Sequence, residues 1–430
     1  MEFKERFLYH IWDGQHLKKK LKTISGEKIE IIFPGNWNTN RGPDFKNAVL
    51  KINNDVKHGD VEIHRKSNDW KIHKHNEDPN FNSVILHVVY LFNEKSPYTI
   101  KEDSEKIPIF EMKSFLDENI KKLLGKYSNE DFVPKAEKCF IKENYSEDEQ
   151  KSYIYSLGIK RIERRKKRLN SELFFVDFNQ IIYSGIFRGL GYSKNKFQME
   201  NLSEELNYQM LKKMYDDKIE PNIILSILLF SSDLIRENSA FYKKYYWLYE
   251  KYLQQNIFKK KLDINWNLFR IRPANHPVNR IFNIFPFLIK SFQTNLLNEI
   301  INIFSFRNGV YNEKIVEERW FDLFIVNHKN IIGKSRLNVI FYNIILPTIN
   351  LFSKKMGYNS LTKFTDLHIL NFKKLPRNNI LEIMDKFLPE KYNSSKLEIY
   401  NQGRIALYYA FCQYHLCDSC KNEIKKMCNQ

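Results

Sequence analysis

The sequence predicts an α+β protein: a small N-terminal mixed α/β domain over residues 1–130, then a large all-helical region over residues 151–430. Three observations carry this. Runs with strand character are confined to the first 112 residues. Beyond residue 151 nearly every segment has apolar residues at helical spacing, separated by short polar breaks. Between the two, residues 128–150 are polar and charged, the composition of a domain boundary.

Phe3, Phe7, Leu8 and Ile11 recur at helical spacing, so a short amphipathic helix opens the chain within residues 2–12. Three strands follow. Lys28–Phe33 is rich in Ile and stops at Pro34-Gly35, and Phe45–Ile52 alternates around Val49 and Leu50. Residues 56–64 set Val61 and Ile63 on one face and Glu62 and His64 on the other. Residues 67–75 are a polar connector, either a loop or a helical turn. Val84–Leu91 is a strongly apolar strand, residues 107–112 form a further short one, and Ser114 with Asp117 has capping-box spacing for a following helix. The apolar run 223–230 is too short to span a bilayer. The run 337–352 is interrupted by Asn338, Asn343, Pro347 and Asn350, so both read as buried helices.

Composition narrows the class. Aromatic content of 15%, with only 14 Gly and 13 Pro, favours a folded, helix-rich chain over a disordered one. Lys and Arg number 69 against 51 Asp and Glu, a net charge of +18. Such a field attracts phosphate backbones or anionic lipids, although solvated lysine-rich helix faces give the same sum. Met1-Glu-Phe-Lys-Glu-Arg6 lacks the apolar core of a signal peptide, so a cytoplasmic protein without membrane attachment is expected. Five cysteines are an odd number, and four lie in the last nineteen residues, which is no disulfide framework.

The stretch from Pro34 to His87 carries the chemistry. Asp44 stands where the Gly42-Pro43 turn enters the second strand, and Glu62 lies inside the third. Antiparallel pairing of those strands brings the two carboxylates together. With a backbone carbonyl they make a hard-oxygen site for Mg²⁺ or Mn²⁺. Period-two spacing puts Glu62, His64 and Lys66 on one face, so a cationic or proton-transferring group stands beside the metal. Phosphodiester hydrolysis needs that combination: the metal acidifies water and neutralises phosphate charge, while His64 or Lys66 orients the water or stabilises the transition state. The plainer alternatives are that Asp44 caps its turn and that Glu62 pairs with Arg65 or a lysine.

Four further features need weighing. His64, His73, His75 and His87, with Asp69 and Asp78, are donors suited to Zn²⁺ or Mn²⁺. But His73 and His75, two apart, share a face only on a strand. His87 reads as a hydrogen-bonded core histidine and Trp70 as a core anchor, so no second centre is favoured here. At the other end, Cys412-x4-Cys417-x2-Cys420-x7-Cys428 offers soft thiolates for Zn²⁺ or an iron–sulfur cluster, with His415 able to replace Cys428. A set of reduced thiols is the alternative, and both stay open. The basic run 160–168 either grips phosphates or is a solvated face. In residues 272–280 two prolines break any helix, and an interhelical turn whose Arg caps carbonyls is favoured over phosphate or base contact.

The order helix, three strands, connector, strand, with Pro43-Asp44 ahead of Glu62-Ile63-His64, resembles the core of the PD-(D/E)XK nucleases. That resemblance implies a nuclease-type fold for the N-terminal part, with Asp44 and Glu62 as metal ligands and Glu5 as the acid of the first helix. The pattern's Lys is replaced by His64, with Lys66 two residues later. Some members of that superfamily carry a cysteine-bound iron–sulfur cluster. Gly42-Pro-Asp-Phe45, Gly59-Asp-Val-Glu-Ile-His64, Asp69-Trp70, His73-Lys-His75 and the strand around His87 carry a wider resemblance. With Arg272-Pro-Ala-Asn-His-Pro277, Asn343-Ile-Ile-Leu-Pro347 and the terminal cysteines, they resemble a bacterial family known as domain of unknown function 2851. The expectation is a metal-dependent nuclease-like protein acting on nucleic acid. The alternatives are a non-catalytic nucleic-acid- or protein-binding factor that retains a nuclease-like fold, and a structural metalloprotein organised by its cysteines.

Overall fold

A computed structural model describes residues 3–38, 41–120, 123–124, 139–237, 239–255, 262, 264–305, 311–326, 328–388, 396–414 and 416–428. The chain forms two compact units. Met1–Phe175, Asn378–Ser395 and Tyr400–Gln430 make the first, and Val176–Arg377 with Lys396–Ile399 the second.

The β-branched runs of the first unit build a mixed sheet of eight strands. They are β1 (Leu21–Lys22), β2 (Lys28–Phe33), β3 (Asn36–Trp37), β4 (Phe45–Ile52), β5 (Asp55–Lys66), β6 (Val84–Leu91), β7 (Tyr98–Ile100) and β8 (Lys106–Glu111). Their order is β1-β2-β4-β5-β6-β8-β7, with β3 paired to β4. β4 runs antiparallel to its neighbours β2 and β5, whereas β6 runs parallel to both β5 and β8. The opening helix α1 (Arg6–Asp13) lays Phe7, Leu8, Ile11 and Trp12 on Val61, Ile63, Leu86 and Val88, forming one core. Alternation along β5 and β6 then sends Glu62, His64 and His87 to the other face. There Trp70, Phe81, Val84 and Ile107 make a smaller apolar cluster.

The connector after β5 contains one short helix, α2 (Asp69–Ile72). The expected capping box at Ser114 does not form: Lys113–Phe115 is a single 3-10 turn, and the Ser114 hydroxyl donates to Glu111 at 2.6 Å. Much of the expected helix beyond it, and residues 128–138 of the expected boundary, lie outside the described residues.

The basic run sits in the long helix Glu147–Glu172, which a Ser146/Glu149 capping box starts. Its arginines are used inside the unit. Arg161 and Arg165 donate to Gln402, Arg164 to Asp13 and the Gly35 carbonyl, and Arg168 to Glu172. Lys160 and Lys167 are exposed.

In the second unit the run 223–230 lies within the buried helix Pro221–Ser231. The run 337–352 falls in Lys334–Ile340, a π turn Phe341–Ile345 and Leu346–Lys355, a continuous helix in which Pro347 follows directly on the π turn. A two-stranded hairpin, Ile325–Val326 with Lys329–Asn330, departs from the all-helical expectation. Within residues 272–280 a 3-10 turn, Pro273–Asn275, leads at once into the helix Pro277–Thr294, and Arg280 donates to the Asn275 side chain and the Tyr192 hydroxyl rather than to carbonyls. Among the described residues no helix is long and apolar enough to cross a membrane.

Candidate metal centre

Asp44 and Glu62 meet at the entry to the β4–β5 pair. Gly42, at a φ of 99°, turns the chain into Pro43-Asp44, and Asn38 ties that turn by donating to the Pro43 carbonyl. The two acids then hold one another's backbone. The Asp44 N–H donates to Glu62 Oε2 at 2.9 Å, and the Ile63 N–H donates to Asp44 Oδ2 at 2.9 Å. Neither plainer alternative describes them: Asp44 reaches across to β5 instead of capping its own turn, and Arg65 lies over the Phe3 ring rather than on Glu62.

Burial sets the electrostatics. It pushes the Asp44 carboxyl well above the usual range, with the Glu62 charge adding to the rise. It pushes Glu62 up to about 8, partly offset by the hydrogen bond from Asp44. Glu5, at the N-cap of α1, is raised by burial as well, and its charge raises both other acids. Tyr9, which donates to Glu5 at 3.3 Å, stands between them, its hydroxyl pushed up by burial and by Asp44. The three acids come from α1, the β4 entry and β5, whereas among the described residues the donor atoms that lie mutually within 4.8 Å are those of His64, His73 and His75. The nearby cation, Lys46, is committed to Asp60 at 2.6 Å. Asp60 is itself nearly inaccessible and also accepts from the Asn47 N–H and the Ser83 hydroxyl, so its work is to tie β4, β5 and the entry to β6.

His64 follows Glu62 on the same face, 3.5 Å from Glu62 Oε1. It is 1% exposed, and both ring nitrogens are engaged: Nδ1 with His87 Nε2 at 2.9 Å, Nε2 with His73 Nδ1 at 3.2 Å. His87 is the expected core histidine, closed off by Thr99 at 2.7 Å, and Trp70 is the expected anchor, donating to the Ile100 carbonyl. Lys66, by contrast, is exposed at the end of β5, and only its backbone N–H is tied, to Asp69. Asp78 caps a 3-10 turn at Asn80. Neither Asp69 nor Asp78 is among the close donors around the histidines, although the Asp78 charge reaches His75.

The expectation that His73 and His75 share a face only on a strand is overturned. Lys74 adopts left-handed backbone, φ 60° and ψ 31°, between α2 and a 3-10 turn, and this brings both rings to His64. His75 Nε2 comes within 3.3 Å of Glu62 Oε1. No propensity marks Lys74 for that conformation, so the sequence held no signal for it.

The cysteines assemble differently from the sequence pattern. Cys412, Cys417 and Cys420 line one apolar pocket, and the cysteine that joins them is Cys139, from just ahead of the helix Phe140–Asn144. Burial raises all four thiols, and Cys412, Cys417 and Cys420 are raised further by one another or by Cys139. Cys428 ends the helix Cys417–Cys428, but its side chain, like His415, lies outside the described residues.

A family model described as "Protein of unknown function (DUF2851)" matches residues 5–376, which includes the acids, the histidines and Cys139 but ends before the cysteine tail. No curated protein and no solved structure matches the chain.

Proposed function

We propose, for a chain that belongs to the DUF2851 family, that its N-terminal unit is a metal-dependent hydrolase of phosphodiester bonds in nucleic acid. The observation that carries this is the reciprocal clasp of Asp44 and Glu62, two buried acids on adjacent strands with Glu5 in their field. Buried carboxylates are costly to ionise unless a cation sits among them, and without one they hold protons instead. Oxygen donors suit Mg²⁺ or Mn²⁺. The strand order supports a PD-(D/E)XK-like core, since α1 covers an antiparallel β2-β4-β5 group that continues into a parallel β6.

When bound, the metal supplies an acidified water and charge neutralisation at phosphorus. Asp44 and Glu62 would hold it, and Glu5 with Tyr9 would order the water beside it. His64, locked by His87, orients Glu62, and Lys66 at the exposed strand end meets the phosphate backbone. The net charge of +18 favours that partner. A cytoplasmic location fits four unpaired thiols.

The test is cleavage of single- and double-stranded DNA and RNA with Mg²⁺ or Mn²⁺, with EDTA as the control. Asp44→Asn and Glu62→Gln should each lower the rate about a hundredfold or more while keeping shape. Undiminished cleavage by Asp44→Asn, or no cleavage by the wild type on any of these substrates, sinks the hydrolase. Salt-sensitive binding without cleavage would leave the non-catalytic factor.

We further propose that Cys139, Cys412, Cys417 and Cys420 bind zinc or an iron–sulfur cluster, because four thiols face one cavity. Protein purified anaerobically should be brown with a cluster, or colourless and zinc-containing, and Cys139→Ser should lose metal as fully as Cys417→Ser. Metal-free, fully folded protein obtained without chelator removes this site.

A further inference from the structure

The geometry points to a second, nitrogen-rich cation site in which His64, His73 and His75, with Glu62 Oε1, take a borderline divalent ion of the zinc or cobalt kind. It shares Glu62 with the proposed hydrolytic site but does not rest on hydrolysis.

The donor atoms are spaced for one ion. One nitrogen from each imidazole lies within 4.8 Å of the others. His73 Nδ1 is 3.2 Å from His64 Nε2, His64 Nε2 is 3.5 Å from Glu62 Oε1, and Glu62 Oε1 is 3.3 Å from His75 Nε2. Ligands around a tetrahedral ion at roughly 2.0–2.1 Å stand about 3.3–3.4 Å apart, which these three pairs approach, while the donors mutually within 4.8 Å are the three imidazoles. The rings are mutually close, with centroids 4.9, 5.2 and 5.5 Å apart.

What surrounds them holds the rings for that purpose. Phe81 stacks on His75 at 3.7 Å, and Trp70 sets its edge against both His64 and His75. Behind His64 runs a relay to His87 Nε2 at 2.9 Å and on to Thr99 Oγ1 at 2.7 Å. When His64 Nδ1–H donates into that relay, its Nε2 lone pair is left pointing at His73 and Glu62. Such an outer partner typically fixes the tautomer of a ligating histidine. The left-handed Lys74 is the backbone device that turns two imidazoles spaced two apart toward one point. His73 is exposed, which gives an ion its way in.

The donor set selects the ion. Imidazole nitrogens favour zinc, cobalt and their neighbours over Mg²⁺, whereas the Asp44 side offers oxygen only. Two adjoining sites of different hardness therefore meet at Glu62, one on each carboxylate oxygen.

The experiment uses full-length, tag-free protein dialysed free of metal and titrated with Co²⁺, then with Zn²⁺. The wild type should develop the visible bands of four-coordinate Co²⁺ and lose them to Zn²⁺. X-ray absorption of the zinc form should show nitrogen or oxygen neighbours near 2.0 Å in addition to any sulfur near 2.3 Å. The double variant His73→Ala/His75→Ala should bind one ion fewer per chain, and each single variant should bind that ion at least about tenfold more weakly. Asp44→Asn should keep the bands while losing cleavage, which separates the two proposals. Equal stoichiometry and affinity in the wild type and in a folded double variant, or a zinc environment of sulfur alone, overturns the site.

Discussion

Asp60 and Glu62, two positions apart on β5, do opposite work, and their environments say which is which. Asp60 is fully compensated by Lys46, the Asn47 N–H and the Ser83 hydroxyl, so it is a structural tie. Asp60→Ala strands the Lys46 ammonium and should cost about 3 kcal/mol in a denaturant melt. Asp44 and Glu62 accept backbone N–H groups, while burial raises both carboxyls and the Glu62 charge raises Asp44 further. Removing one charge there should relieve the fold: Asp44→Asn keeps an acceptor for the Ile63 N–H, and metal-free protein should melt at least as high as wild type at pH 8. The pH dependence has a definite sign. Glu62 rises from 4.5 in the unfolded chain to about 8, chiefly through burial, so the folded state binds its proton more tightly. Its stabilising effect is complete below the unfolded value and is lost as pH climbs through the folded one. The melting temperature of dialysed, metal-free protein should fall between about pH 5 and 8, and Mn²⁺ should flatten that fall. A flat profile without metal would mean that Glu62 is ionised and satisfied in the fold.

At the scale of elements, close backbone approach and occupied arginines make the sharpest predictions. A Cβ on Gly403 would stand 1.9 Å from the Ile154 carbonyl oxygen, where the helices Glu398–Ala410 and Glu147–Glu172 touch. Backbone cannot yield as a side chain can, so Gly403→Ala should destabilise by about 2 kcal/mol despite alanine's better helix propensity. Gly333 has open space around its Cβ position, and Gly333→Ala should change stability by less than about 0.5 kcal/mol. Equal melts for the two variants would contradict the packing described. On Glu147–Glu172, Arg161, Arg164 and Arg165 already serve Gln402, Asp13 and the Gly35 carbonyl. Their replacement by alanine should lower the melting temperature and barely alter the salt dependence of nucleic-acid affinity. Replacing Lys160 and Lys167, which are exposed, should flatten that dependence instead.

Over the whole molecule, the charge of +18 makes any affinity for nucleic acid fall steeply with added salt, measurable as the slope of log affinity against log salt. What could be read from the chain was whatever repeats over a few residues. Alternation located β4 and β5, apolar runs located β2, β6 and the buried helix Pro221–Ser231, and helical spacing located α1. The same period placed Glu62 and His64 on one face, and the Gly42-Pro43 turn put Asp44 at the mouth of β4. Those are consequences of backbone geometry that each segment carries within itself. The convergence of His73 and His75 was hidden because it depends on a left-handed Lys74 that no local preference announces. Cys139 was hidden because its partners are brought up from the far end of the chain. The arginines of Glu147–Glu172 looked free because Asp13 and Gln402 are remote in sequence. Contacts between segments far apart are chosen by how buried surfaces fit and which polar groups find partners, and neither is written in the periodicity of a single stretch.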